Sequence, residues 1–463
     1  MLMRRRHFVF CAFAVFLTCP AIFGQSTAPA PWKAGVAKLV ITPKDFLWMS
    51  GYAARTKPAE GKVHELWAKA LALEAPDGQR CLLVTMDLVG IDRELAKAVC
   101  DQIEKRHKLP RSAILLSVSH THCGPVVGKN LRPMYFLDEG QKKLVDDYTR
   151  ELQTKLVRVA EEALKDLKPA YLARGNGLVT FATNRRNNKE PDVPKLREHG
   201  QLKGPVDHDV PVLSVRDADG KVRAIVFGYA CHATVLSFYE WCGDYPGFAQ
   251  IELEKRYPGA VALFWQGCGG DQNPLPRRTV ELAEEYGRQL AQGVESVMKA
   301  PMSPVAPLLK MAFDEIDLPL ADLPSRETLI KDAASKDRFV ASRARLLLKQ
   351  IADQGSLRRT YPYPVQAWQL GTDLTWVALG GEVVVDYSLR LKKELGPVWV
   401  TGYANDVMAY IPSLRVLKEG GYEGGGAMVY YGLPAVWSPR VEEMIVAAVH
   451  DQVKAVRARA TAR

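Results

Sequence analysis

Short apolar runs that stop at a histidine or an acid recur along this chain, with amphipathic stretches between them. The β-rich runs occupy 35–42, 67–73, 81–87, 113–119, 212–215, 224–231, 261–266 and 375–379. Their short lengths and their Val, Ile and aromatic content favour strands. Apolar residues recurring every three to four positions mark helices at 94–107, 141–167, 279–299, 326–352 and 441–456. This alternation predicts an α/β fold, built as mixed α+β layers around a sheet. Asp87, His120, His232 and Asp271 follow or end β-rich runs. In open α/β sheets ligands bind beyond the carboxyl ends of strands, so these residues are the first place to look for a site. No repeat at a fixed period is present, which argues against solenoids and propellers. The Pro-rich stretch 300–307 is either a joint between subdomains or a plain surface loop.

The first residues read as a leader for export. Arg4, Arg5 and Arg6 form a basic start, an apolar run covers 8–17, and Ala21 and Gly24 offer small residues for cleavage. The expected organisation is a signal peptide at 1–24, a linker at 25–34 and one catalytic unit at 35–463. An uncleaved anchor is the alternative. A secreted or periplasmic location follows from the leader. The net charge is +10, three units of it from those arginines. The remaining bases are scattered, with no basic stripe interleaved with aromatics, so nucleic acid is not an expected partner. Nothing points to a protein partner. Two of the 8 cysteines, Cys11 and Cys19, lie in the leader. Export would permit disulfides among Cys81, Cys100, Cys123, Cys231, Cys242 and Cys268. No CxxC pair suggests a cysteine zinc cluster.

Six short segments can carry chemistry. Ser119-His120-Thr121-His122-Cys123-Gly124-Pro125 follows an apolar run. Residues two apart on a strand share a face, so His120 and His122 would reach one metal or one substrate. Two hydrogen-bonded structural histidines would look the same. His232 ends a second apolar run, as a metal ligand or a satisfied core histidine. Asp244 follows it in Gly243-Asp244-Tyr245-Pro246-Gly247, where it would cap a helix, orient His232 or contact substrate. Gly267-Cys268-Gly269-Gly270-Asp271-Gln272-Asn273 is a glycine cluster whose N–H groups would suit an oxyanion, or a bland tight turn. Glu382 follows the run 374–379, and Tyr410 follows the strand-like 398–403. Taken singly these two read as a surface acid and a core aromatic.

Taken in order, the segments resemble the neutral/alkaline ceramidase family. The matching pieces are Ser-His-Thr-His-Cys-Gly-Pro at 119–125, Cys-His-Ala-Thr at 231–234, Gly-Asp-Tyr-Pro-Gly-Phe-Ala at 243–249, Gly-Asp-Gln-Asn-Pro at 270–274, Gly-Gly-Glu at 380–382 and Asn-Asp-Val-Met-Ala-Tyr-Ile at 405–411. Val40-Ile41-Thr42-Pro43, Gly51-Tyr52-Ala53 and 63–70 match the family's opening. The resemblance implies a zinc hydrolase domain with its ligands at strand ends. It implies one Zn²⁺ held by His120, His232, Glu382 and Tyr410, a catalytic or substrate-contacting His122, an Arg185 that contacts substrate or oxyanion, and a loop-orienting Asp271. The family's C-terminal immunoglobulin-like domain is expected to be missing, since the last matching motif lies close to residue 463. The family's serine in the glycine motif is Asn273 in this chain, which cannot be a nucleophile of that kind, so either metal-activated water attacks directly with Asn273 as a hydrogen-bond donor at the catalytic site, or the substrate differs. Cys123 likewise replaces a serine, and Val383-Val384-Val385 replaces Phe-Thr-Thr.

The resemblance implies an amidohydrolase that cleaves an N-acyl bond, ceramidase-like, by metal-activated water. Its substrate would be a small molecule or a lipid, free or at a membrane surface. Loss of the serine keeps open a zinc hydrolase of another amide or ester, such as an N-acylated sugar. A non-catalytic lipid- or carbohydrate-binding descendant would have little reason to keep four ligands. A cysteine hydrolase using Cys123, Cys231 or Cys268 is a further reading.

Overall fold

The computed structural model describes residues 32–461. The expected leader and the start of the linker lie outside the described residues. Trp32, Lys33 and Ala34 already belong to the first strand, Trp32–Val40.

Two sheets organise the chain. The larger has nine strands, ordered Val261–Gln266, Val222–Tyr229, Asp209–Asp217, Lys168–Leu178, Trp32–Val40, Trp67–Glu74, Arg80–Met86 and Ile114–Val118, with Ser303–Pro304 added beside Lys168–Leu178. Its middle is antiparallel, and its two outer pairs are parallel. Parallel strands covered on both faces need near-continuous apolar runs. Ile114–Val118 and Val261–Gln266 meet that need and are buried along their whole lengths. The smaller sheet is ordered Leu309–Pro319, Thr360–Leu370, Leu374–Leu379 and Val398–Thr401. The Pro-rich stretch is where the chain leaves one sheet for the other.

The larger sheet curls until its two edge strands approach one another. The segment 401–405, just past the smaller sheet's last strand, fastens them. Gly267 bridges to Thr401, and Ser117 bridges to Ala404. Gly402 N donates to Gln266 O at 3.0 Å, and Asn405 N donates to Leu116 O at 2.8 Å. The loops that follow both edges are thereby brought to one place.

Three long strands escape the apolar-run rule, Lys168–Leu178, Leu309–Pro319 and Thr360–Leu370, as do the two- and three-residue strands. The helix expected at 326–352 is two, Arg326–Ala333 and Arg338–Gln354. The second starts where Asp337 accepts from Phe339 N at 2.8 Å, an N-terminal cap. The disulfides that export would permit do not form, because Cys81, Cys100, Cys123, Cys231, Cys242 and Cys268 are each buried and unpaired. They pack as small hydrophobes. Among the described residues no helix is long and apolar enough to cross a membrane.

Candidate metal centre

His120 and His122 do not sit on a strand, as the spacing suggested. The strand ends at Val118, and His120 adopts left-handed backbone with φ 59°. Such a φ is uncommon outside glycine and is held by its surroundings. The two rings still meet, with their Nε2 atoms 3.1 Å apart. His232 follows Val222–Tyr229, near the opposite edge of the curled sheet. The ligand nitrogens of all three histidines lie within 4.8 Å of one another, and all three are buried.

The smaller half of the molecule supplies oxygen. Glu382–Val383 and Tyr410–Ile411 pair in parallel, with Glu382 opposite Tyr410. Glu382 Oε2 lies 3.1 Å from His120 Nε2 and 3.0 Å from His232 Nε2. The Tyr410 hydroxyl lies 3.2 Å from His232 Nε2.

The histidine tautomers are set by what stands behind the rings. His120 Nδ1 lies 2.5 Å from Val89 O, and His232 Nδ1 lies 2.6 Å from Gly269 O. A carbonyl oxygen only accepts, so both Nδ1 atoms carry protons and both rings turn Nε2 inward. Metal-bound histidines almost always donate their other N–H in this way. His122 Nδ1 finds no hydrogen-bond partner among the described residues. Gly51 crowds that ring, since a Cβ there would lie 2.4 Å from His122 Nδ1. His122 therefore lacks the support its two neighbours have.

Burial disfavours charge on the rings of His232 and His122. It pushes His232 down to about 4, with Arg185 adding to the effect. It pushes His122 well below the ordinary value, aided by the two neighbouring rings. Burial alone would raise the Glu382 carboxyl, but His120 and His232 outweigh it and hold it well below the ordinary range. Burial keeps the Tyr410 phenol protonated, well above its ordinary value despite Arg185. Imidazole nitrogens gathered around one carboxylate fit a metal cation. Donors around a tetrahedral ion with bonds of about 2.0–2.1 Å lie roughly 3.3 Å apart, close to the spacings here.

The remaining site candidates divide. Arg185 is part of the cluster: it donates to Tyr410 Oη at 3.0 Å, to Asn273 Oδ1 at 3.2 Å and to Glu423 Oε1 at 2.7 Å. Burial would lower its pKa, but Tyr410 and Glu423 hold it well above the ordinary value. Asn273 is buried beside it on Gln272–Pro274, which pairs with Ala182–Asn184. Asp271 works from behind, accepting from Val385 N at 2.9 Å and Asn184 Nδ2 at 3.0 Å. Burial pushes its pKa up to about 6. Asp244 pins the loop after His232, accepting from Leu236 N at 2.9 Å and Tyr245 N at 2.7 Å. Asp87 accepts from Trp67 N at 2.9 Å and ties strands together. The glycine cluster is no oxyanion cradle, because Gly269 N and Gly270 N are spent on Gly267 O and Val383 O, each at 2.8 Å. A Cβ on Gly270 would sit 2.7 Å from Glu382 O, so this glycine lets two loops touch.

A family model, neutral/alkaline non-lysosomal ceramidase (N-terminal), matches residues 32–278, more than half of the chain. The chain belongs to this ceramidase family. It is 24% identical to neutral ceramidase B of Dictyostelium discoideum over 245 residues, which are 50% of this chain and 33% of that protein. The match thus spans about a third of that relative's length. The fold is that of the crystal structure of neutral ceramidase from Pseudomonas aeruginosa, at TM-score 0.72 and 20% identity, covering 93% of this chain and 75% of that one. A ceramidase complexed with C2 matches at TM-score 0.72 and 18% identity, over 93% and 76% of the two chains.

Two residues of this ceramidase-family centre were not legible in the sequence. Tyr431 donates to Glu382 Oε1. Glu423 is buried between Arg185 and Arg186, at 2.7 and 2.6 Å. An acid inside Gly420-Gly421-Tyr422-Glu423-Gly424-Gly425-Gly426 was the available signal, since glycines let the backbone around it approach other groups closely. The cysteine reading finds no support: burial pushes the Cys123 thiol up to about 12 and raises Cys231 and Cys268 as well, against the thiolate a nucleophile needs.

Proposed function

We propose that this chain is a zinc-dependent hydrolase of an N-acyl amide bond, ceramidase-like in its chemistry. The observation that carries the reading is the convergence of two carbonyl-backed histidines, a buried carboxylate and a phenol on one point. His120, His232, Glu382 and Tyr410 would hold the ion. A zinc ion supplies Lewis acidity there and draws the pKa of a water toward about 7.

His122 is the acid–base group of the proposal. Its ring is neutral, it lies beside the cluster, and its Nδ1 is uncommitted, so Nε2 can take a proton and pass it to the departing nitrogen. Arg185 is a fixed cation for the negative charge that develops on the carbonyl oxygen. Its guanidinium only donates, so it fixes Asn273 with Oδ1 inward and Nδ2 outward as a further donor. A side-chain hydroxyl nucleophile is then not required at this position, and Asn273 fits as a positioning donor.

The acyl half has rings to lie against. From Tyr410 the contacts pass to Tyr422 at 5.3 Å, to Tyr430 at 6.3 Å, to Phe339 at 5.1 Å and to Phe136 at 5.6 Å. Tyr422 and Phe136 are 44% and 41% exposed, so the track reaches solvent. Export through the N-terminal segment belongs to the same proposal. The test is elemental analysis of purified protein, paired with release of fatty acid from N-acyl amides before and after chelation. Protein with a full zinc complement that releases no fatty acid from any N-acyl amide would overturn the reading.

A further inference from the structure

A groove of about 500 Å³ runs over Asn273 and Arg185, and its lining differs from what an alkyl chain needs. Its walls include Asn188, Lys189, Arg277 and Tyr422, and among the described residues Leu275 is its one aliphatic side chain. The floor adjoins the metal cluster: Arg185 spans from Asn273 to Tyr410, which is 3.2 Å from His232 Nε2.

The groove offers hydrogen bonds that the protein leaves open. Asn273 Nδ2, Arg277 Nη1 and Lys189 Nζ have no protein partner among the described residues. Arg277 spends Nε and Nη2 on Glu190, at 2.9 and 2.7 Å, and keeps Nη1. Arg277 is held by its ion pair with Glu190, and Asn273 by Arg185, which is itself paired with Glu423. Tyr422 adds a half-exposed ring face at the side. Laying an alkyl chain here would strip water from charged groups and return no hydrogen bonds. A ring with many hydroxyls would replace that water bond for bond.

Resting on the amide-hydrolase reading, we propose that this groove takes the amine half of the substrate and that this half is a hydroxyl-rich, water-soluble amine of the amino-sugar class, not a long-chain base. Hydrolysis adds one water across the C–N bond. The acyl carbon gains the oxygen and leaves as a carboxylate, and the nitrogen takes both protons of that water and leaves on the sugar as an ammonium. The acyl chain keeps the aromatic track.

The test compares N-octanoyl-D-glucosamine with N-octanoyl-sphingosine in the same detergent, using the full metal-loaded chain. The sugar amide is expected to have a kcat/KM at least ~100-fold higher, since sites built to bond hydroxyls reject analogues lacking them strongly. Arg277→Ala should lower the sugar-to-sphingosine ratio by about tenfold, and Lys189→Ala, at an exposed position that tolerates change, should lower it in the same direction. Equal or better cleavage of the sphingosine amide overturns the groove assignment and leaves the amide-hydrolase reading standing. If neither amide is cleaved, calorimetric titration with D-glucosamine decides. Binding that Arg277→Ala weakens keeps the groove assignment and sinks the amide chemistry, and absence of binding sinks both.

Discussion

The larger sheet brings nitrogen to the centre and the smaller one brings oxygen, and the two are braced differently. His120 and His232 lean on backbone carbonyls, Val89 O and Gly269 O. Glu382 and Tyr410 lean on other side chains, Tyr431 and Arg185. A backbone brace cannot be removed by substituting a side chain, whereas a side-chain brace can. The nitrogen half is thus fixed by the fold itself, while the oxygen half is open to adjustment one residue at a time.

The sharpest break of this comparison removes a donor from each half. Glu382→Ala and His120→Ala should each abolish metal retention, with kcat falling by more than the ~10²–10³ of a lost oxyanion donor. Elemental analysis and amide turnover check it. Next comes Asn273→Ala, expected to lose about 10²–10³ in kcat with metal still bound. If that variant is as inactive as His120→Ala with its metal in place, Asn273 is more than a positioning donor. Tyr431→Phe removes the side-chain brace of Glu382 and should weaken metal binding by about 10–100-fold, read by competition with a chelator. An unchanged affinity would mean that the oxygen half is as rigid as the nitrogen half.

The smallest effect concerns Asp406, which accepts from Tyr361 Oη at 2.7 Å. Burial raises its carboxyl from the ordinary 3.8 to about 7. Below the lower value both folded and unfolded chains hold the proton, and its contribution to stability is fully present. As pH rises from about 4 to about 7 the unfolded chain releases that proton first, so stability is lost across this window and no further above it. Asp406→Asn should remove that segment of pH dependence. Urea unfolding of both proteins from pH 4 to 8 should show their stability difference changing below pH 7 and constant above.

The sequence made the histidine half more legible than the rest. His120 and His232 each close an apolar run, and burial on both faces of parallel edge strands writes such runs plainly. The strand Lys168–Leu178 carries Arg174, Gly175, Asn176 and Gly177 and lies half exposed, so no apolar run marks it. Thr360–Leu370 hides behind Pro362 and Pro364, residues that argue against a strand when only the local pattern is read. Glu382 and Tyr410 were reached through their order among family motifs, because a cross-strand register between residues so distant in sequence leaves no local trace. The same is true of Tyr431 and of the carbonyls that orient the imidazoles. The αL backbone at His120 defeated the strand-alternation argument while leaving its outcome intact, since the turn delivers both rings to one point.

The stitching of the curled sheet by 401–405 has a further consequence. Edge strands carry rows of unpaired N–H and C=O groups and invite pairing with another chain. Here Gly267 and Ser117, beside the two edges, are both engaged by that one segment. The stretch matched by the family model ends at residue 278, well before it. Produced alone, residues 32–278 would leave both edges bare and should self-associate, whereas the chain that includes 401–405 should not. Light scattering on the two proteins at equal concentration would show it. The segment that seats Tyr403 against His120, with ring centroids 4.4 Å apart, also keeps the sheet from adding a strand from a neighbouring copy.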